Sequence, residues 1–122
     1  MATPRKTKAS SPAGLQTAGK RLWQSVVTEY DLDVHEEALL LQASRVLDRL
    51  DSMATELASA PLTVENQRGD LVPHPLLTES RQQSLALSRL LASMRLPSGE
   101  ETGERRPQRR GAARGSYGLR AV

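Results

Sequence analysis

Few residues in this 122-residue sequence have the type and spacing for bond-making chemistry. There is no Cys, which excludes a Cys nucleophile, a Cys-based zinc site and a disulfide framework. The two histidines, His35 and His74, stand about forty positions apart. His35-Glu36 has the opening of the zinc-protease helix motif. That motif needs a second His four positions after the first, and the position holds Leu39. His74 lies between Pro73 and Pro75 and is expected to shape a turn rather than bind a metal. Glu36-Glu37 and Glu100-Glu101 are adjacent pairs, and adjacent side chains on a helix point apart, so they make no general acid/base pair. No GxxxxGK[ST] phosphate loop occurs. The expectation is a chain with no catalytic residue, no metal and no cofactor, and hence not an enzyme.

Positive charge at the two ends is the other chemical feature. Residues 1–13 carry +3, residues 14–96 carry −3 and residues 97–122 carry +3. Basic ends on a mildly acidic body suit arms that touch phosphate, or a partner's acidic face. The N-terminal cations are Arg5, Lys6 and Lys8. The sharper cluster is Arg105, Arg106, Arg109, Arg110 and Arg114, interleaved with Gly and followed by Tyr117. Gly/Arg-rich segments of this kind pair phosphates through Arg, and a Tyr beside them stacks or docks. Lys20 and Arg21 add a basic patch on a helix. These ten cations are the DNA-binding candidates. A helix-turn-helix is not supported, because the helix after Asp31-Leu32-Asp33 is far too long for a recognition helix.

The elements that must position these groups follow from hydrophobic spacing. Leu22, Trp23, Val26, Val27 and Tyr30 form a narrow helical stripe and predict a first helix from Thr17 to Tyr30. Asp33 with Glu36 three residues on is a capping-box signature, and a second helix is expected from Val34 to Ser59. Leu39, Ala43, Val46, Leu50, Met53 and Leu57 give it a heptad-like seam, with Leu40, Leu47 and Ala54 as a second row. At 1.5 Å per residue it would run about 39 Å. Pro61 ends it. Leu62 to Glu65 and Asp70 to Val72 alternate around Asn66-Gln67-Arg68-Gly69 and predict a hairpin. Pro73-His74-Pro75 leads into a third helix, Leu76 to Arg95, with a seam of Leu77, Ser80, Ser84, Leu87, Leu91 and Met94.

The fold class expected is mainly α: three helices, the long second and third forming an antiparallel pair joined by a small β-hairpin, with disordered basic tails. The domain division is a basic arm at 1–16, a helical body at 17–96 and an Arg/Gly-rich tail at 97–122. A body of about 80 residues buries little by itself, and one short helix does not cover both rows of the long one. Oligomerisation is therefore expected, with Leu39, Leu40, Ala43, Val46, Leu47, Leu50, Met53, Leu57, Leu77, Leu87, Leu91 and Met94 at the interface. No run approaches the roughly 20 apolar residues of a membrane span, and Met1 to Ala13 have no apolar stretch of the secretory kind. A cytosolic location with no membrane partner is expected.

The order of segments is also informative. Gly19-Lys20-Arg21-Leu22-Trp23 and Tyr30-Asp31-Leu32 come first, followed by the Leu-rich helix from Leu39-Leu40-Leu41 to Leu57. Leu62-Thr63-Val64, Asn66-Gln67-Arg68-Gly69 and Pro73-His74-Pro75-Leu76 follow, then a helix carrying Arg81 and Leu87 to Leu91. Together these resemble the phage terminase small subunit family over about residues 17–96. Where that family often continues with a Leu-Gly-Leu-Thr-Pro-like segment, this chain has Met94-Arg95-Leu96-Pro97-Ser98. The resemblance implies a non-catalytic DNA-packaging component in the host cytoplasm. It implies a homo-oligomeric ring that recognises double-stranded viral DNA and delivers it to the terminase large subunit, which holds the ATPase and nuclease. The competing readings are a dimeric DNA-binding transcriptional regulator and a protein-only structural adaptor.

Overall fold

The computed structural model describes residues 10–97 and the backbone of Gln108–Arg109. Three helices dominate it: α1 (Thr17–Glu29), α2 (Val34–Ser59) and α3 (Pro75–Met94). Strand β1 (Tyr30–Asp31) separates α1 from α2. Strands β2 (Thr63–Glu65) and β3 (Leu71–Pro73) form the hairpin between α2 and α3, and β4 (Gln108–Arg109) follows. The fold is thus mainly α with a small antiparallel hairpin between the two longer helices, as the spacing predicts.

Each boundary has a local cause. Helix α2 starts at a capping box, in which the Asp33 N–H donates to Glu36 Oε1 at 2.8 Å. Helix α3 starts with Pro at its first turn and His74 as N-cap, whose Nδ1 accepts from the Leu76 N–H at 3.1 Å. The same residue ties the hairpin to the helix, because the His74 N–H donates to the Leu62 carbonyl at 2.7 Å. In the hairpin, Val64 pairs with Val72 and both are half-buried, while their strand neighbours face solvent. Asn66 Oδ1 accepts from the N–H groups of Arg68 and Asp70, both at 2.9 Å, and Gly69 supplies φ +83°. Helix α3 ends with Arg95 in the left-handed region at φ 53°.

The core lies at one end of the molecule, where α1 meets the first half of α2 and the last turn of α3. It contains Leu15, Trp23, Val26, Val27, Tyr30, Leu40 and Met94, with Leu22, Leu39 and Leu96 packed against it. Toward the hairpin, α2 and α3 form a two-helix layer whose apolar residues are only half-covered.

Three expectations need correction. The packed unit begins before Thr17: Leu15 is a core residue, and Gln24 Nε2 donates to Ser11 Oγ at 3.0 Å, holding residues 11–15 along α1. The segment after residue 96 is not detached throughout. The Tyr30 hydroxyl donates to the Pro97 carbonyl at 2.9 Å, and Gln108–Arg109 pairs antiparallel with Tyr30–Asp31. The break between α1 and α2 leaves extended backbone there, and extended backbone groups need partners. Finally, the α3 stripe runs through half-buried Gln83, not through exposed Ser84. Leu77 and Leu91, seven residues to either side of Ser84, are both half-buried, so the seam holds at its ends and is interrupted at this one position.

Candidate assembly face and nucleic-acid interface

The residues expected at an oligomer interface divide into two sets. Leu40, Ala43, Val46 and Met94 are buried inside the chain's own fold, at 0%, 0%, 5% and 1% exposure. They are not available to a partner, because α1 and the end of α3 already cover them. Leu39 is half-buried against the same core. The other set is Leu47, Leu50, Met53 and Leu57 on α2 with Leu77, Leu87 and Leu91 on α3. All are half-buried, along the stretch where α2 packs on α3. Ala54, expected in the second row, is exposed. Around this stretch Leu62, Leu71 and Leu85 are 63%, 77% and 53% exposed. These three leucines are large apolar side chains open to solvent on the hairpin and on α3.

Three of the ten basic candidates lie among the described residues. Lys20 and Arg21 are exposed on α1. Arg109 lies in β4 opposite Tyr30. Arg5, Lys6, Lys8, Arg105, Arg106, Arg110 and Arg114 lie outside the described residues, as does Tyr117.

Spacing alone did not reveal the junction of α1 with α2. Gln16, the N-cap residue of α1, makes no side-chain cap of its own. The cap comes from α2: Asp48, 8% exposed, accepts from the Gln16 N–H through Oδ2 and from the Gly19 N–H through Oδ1, each at 2.7 Å. A carboxylate at a helix N-terminus is favoured both by the unpaired N–H groups there and by the helix dipole. Gly19 allows the close approach. A Cβ at that position would collide with Asp48 Oδ2 and lie 2.7 Å from the Ser44 carbonyl oxygen. Beside this junction runs an open groove of about 370 Å³, with Gly14 and Gln16 on one side and Arg45, Asp48, Arg49, Ser52 and Met53 of α2 on the other. Both arginines are exposed. Their spacing of four, with no acid at the facing i±3 or i±4 positions except Asp48 three residues after Arg45, is the signal available in the sequence.

His74 is structural, and His35 is exposed near the start of α2. His74 caps α3. Asp33, His35 and Glu36 bring ligand-type atoms within 4.8 Å of one another at the start of α2, a closeness that the capping box itself enforces. No helix among the described residues is long and apolar enough to cross a membrane. No protein-family model, curated protein or solved structure matches this chain.

Proposed function

We propose that this protein is a non-catalytic small subunit of a phage terminase, acting in the host cytoplasm. It assembles as a homo-oligomeric ring, binds double-stranded viral DNA and hands it to the large ATPase/nuclease subunit. The observation that carries the proposal is the half-covered α2–α3 layer, with Leu62, Leu71 and Leu85 open to solvent around it. A monomer gains nothing from leaving this surface wet, at roughly 25 cal/mol per Å² of apolar area. A head-to-tail contact between copies would cover it, and such contacts close into rings when the rotation allows. The basic residues then act by repetition. A ring presents each Lys and Arg many times, so weak single-copy contacts sum to useful affinity. The order of segments that resembles the terminase small subunit family supports the same reading.

The test is the native mass of the full-length protein at low micromolar concentration, followed by duplex DNA binding across a salt series. A closed assembly, on the order of eight to twelve copies as the resemblance suggests, with affinity that falls steeply with salt, is expected. A dimer that binds DNA would instead establish the regulator. An assembly with no affinity for DNA would establish the protein-only adaptor.

A further inference from the structure

We propose that the groove between the α1 N-terminus and the Arg45–Arg49 face of α2 is a phosphate-binding site for the nucleic-acid backbone. This rests on the DNA-packaging reading and places a DNA contact on the folded body as well as on the arms. Arg45 and Arg49 stand four apart on one helix, so their Cβ atoms are about 5–6 Å apart and their guanidinium groups face the same space. Like charges at this spacing repel, and helices ordinarily place an acid beside them. The acid within reach is Asp48, and both of its oxygens are taken by the Gln16 and Gly19 N–H groups. Arg45 makes only a 3.4 Å contact to Gln42 Oε1, and Arg49 has no hydrogen bond or ion pair among the described residues. The groove therefore holds two exposed guanidinium groups, and its one lining carboxylate, Asp48, already accepts from two backbone N–H groups. It is open, about 370 Å³, with Ser52 one turn beyond Arg49 as a neutral hydrogen-bonding group. That is room for a phosphate and the sugar attached to it.

Charge along the chain favours nucleic acid over an acidic peptide. Gly14 lines the groove, and Lys8, Lys6 and Arg5 precede it by only six to nine residues in sequence. Guanidinium forks suit phosphate oxygens, which accept two parallel N–H bonds.

The experiment compares the full-length wild type with Arg45→Gln/Arg49→Gln and Arg45→Lys/Arg49→Lys on duplex DNA across a salt series. Trp23 fluorescence and native mass serve as controls for folding and assembly. The Gln pair should keep the wild-type unfolding midpoint and mass. It should bind DNA roughly tenfold or more weakly, with the salt slope reduced by about 0.9 for each copy in contact, the value for one phosphate. The Lys pair should restore most of the slope, because the charge is kept. If the wild type itself shows no salt-dependent affinity for DNA, the packaging reading fails and the groove assignment fails with it. If the wild type binds and the Gln pair matches it in affinity and slope, the groove assignment alone is overturned. A polyglutamate peptide that loses affinity for the Gln pair while DNA does not would reassign the groove to an acidic protein partner.

Discussion

The carboxylate of Asp48 and the backbone of Gly19 are packed so closely that no side chain fits between them, and Asp48 Oδ1 accepts the Gly19 N–H at 2.7 Å. Two opposing effects act on Gly19→Ala. Alanine favours a helix interior over glycine by about 1 kcal/mol. Its methyl group would also press on Asp48 and on the Ser44 backbone, and backbone does not move cheaply; overpacking of this kind costs about 1–3 kcal/mol. The overlap wins, and Gly19→Ala should lower stability by about 1–2 kcal/mol. Urea unfolding followed by Trp23 fluorescence measures it. A stabilised variant would show that the two helices stand further apart than described.

Removing the other partner tests the same contact from α2. Asp48→Ala leaves the Gln16 and Gly19 N–H groups without their acceptor at a partly buried helix end. Hydrogen bonds to a charged group contribute about 1.5–3 kcal/mol, so a loss of about 2–4 kcal/mol is expected. Asp48→Asn keeps one acceptor oxygen and turns an amide toward the other N–H, so it should fall between. Equal stability of wild type and Asp48→Ala would mean that water caps α1 as well as the carboxylate does.

Much of this architecture is legible in the sequence because its signals are local. Asp33 and Glu36 set the start of α2, and Pro61 follows its end. Asn66 and Gly69 set the hairpin turn, and Pro75 sets the start of α3. What was not legible depends on distant partners. Gln16 is a poor cap residue, and nothing near it says that Asp48 supplies the cap from α2. Leu15 looks like part of a polar arm until α1 and α2 fold over it. Gly19 looks like an isolated glycine until its neighbour is known. The seams identified the right helices but not the division of labour along them: the α1 end buries Leu40 and Ala43 within the subunit and leaves Leu50, Met53 and Leu57 half-covered. Arg45 and Arg49 read as ordinary helix-surface charge because the fate of Asp48 is not visible in one dimension.

Arg95 occupies the left-handed C-cap of α3 at φ 53°, a conformation that costs a residue with a Cβ roughly 1–2 kcal/mol. It stands within the segment where the resembling family often has Leu-Gly-Leu. Arg95→Gly should therefore raise stability by about 0.5–1 kcal/mol, after allowing for glycine's greater freedom in the unfolded chain. The thermal midpoint should rise by a few degrees, since roughly 1 kcal/mol shifts a domain of this size by about 4–8 °C. No change or a fall would mean that the Arg95 side chain contributes more than its backbone strain removes.

His74 joins the hairpin to α3 through three bonds, and only one of them uses the ring. His74→Ala should cost about 1 kcal/mol, the usual value of an N-cap acceptor. His74→Asn should recover most of that loss, because its short carbonyl reaches the same N–H. If Asn and Ala are equally destabilising, the ring matters through packing between Pro73 and Pro75 rather than as a cap.

The apolar face gives the sharpest separation between assembly and folding. Leu71 and Leu85 are 77% and 53% exposed in the subunit, on the hairpin and on α3. A charge placed at such positions is solvated in the isolated subunit, and surface substitutions of this kind usually change stability by no more than about 0.5 kcal/mol. The same charge trapped between two copies would be desolvated without a partner, a cost of several kcal/mol at each repeat of the interface. Leu71→Lys, which faces Glu65 across the hairpin, and Leu85→Glu should therefore keep the helical circular-dichroism signal and the Trp23 emission of the folded chain while the native mass falls toward that of a single chain. Leu50→Asp, at a half-buried position, should break assembly too, but with some loss of subunit stability. An unchanged large mass in both exposed-site variants would move the subunit contact away from the hairpin and α3. An unchanged small mass, equal to one chain in the wild type as well, would remove the ring altogether.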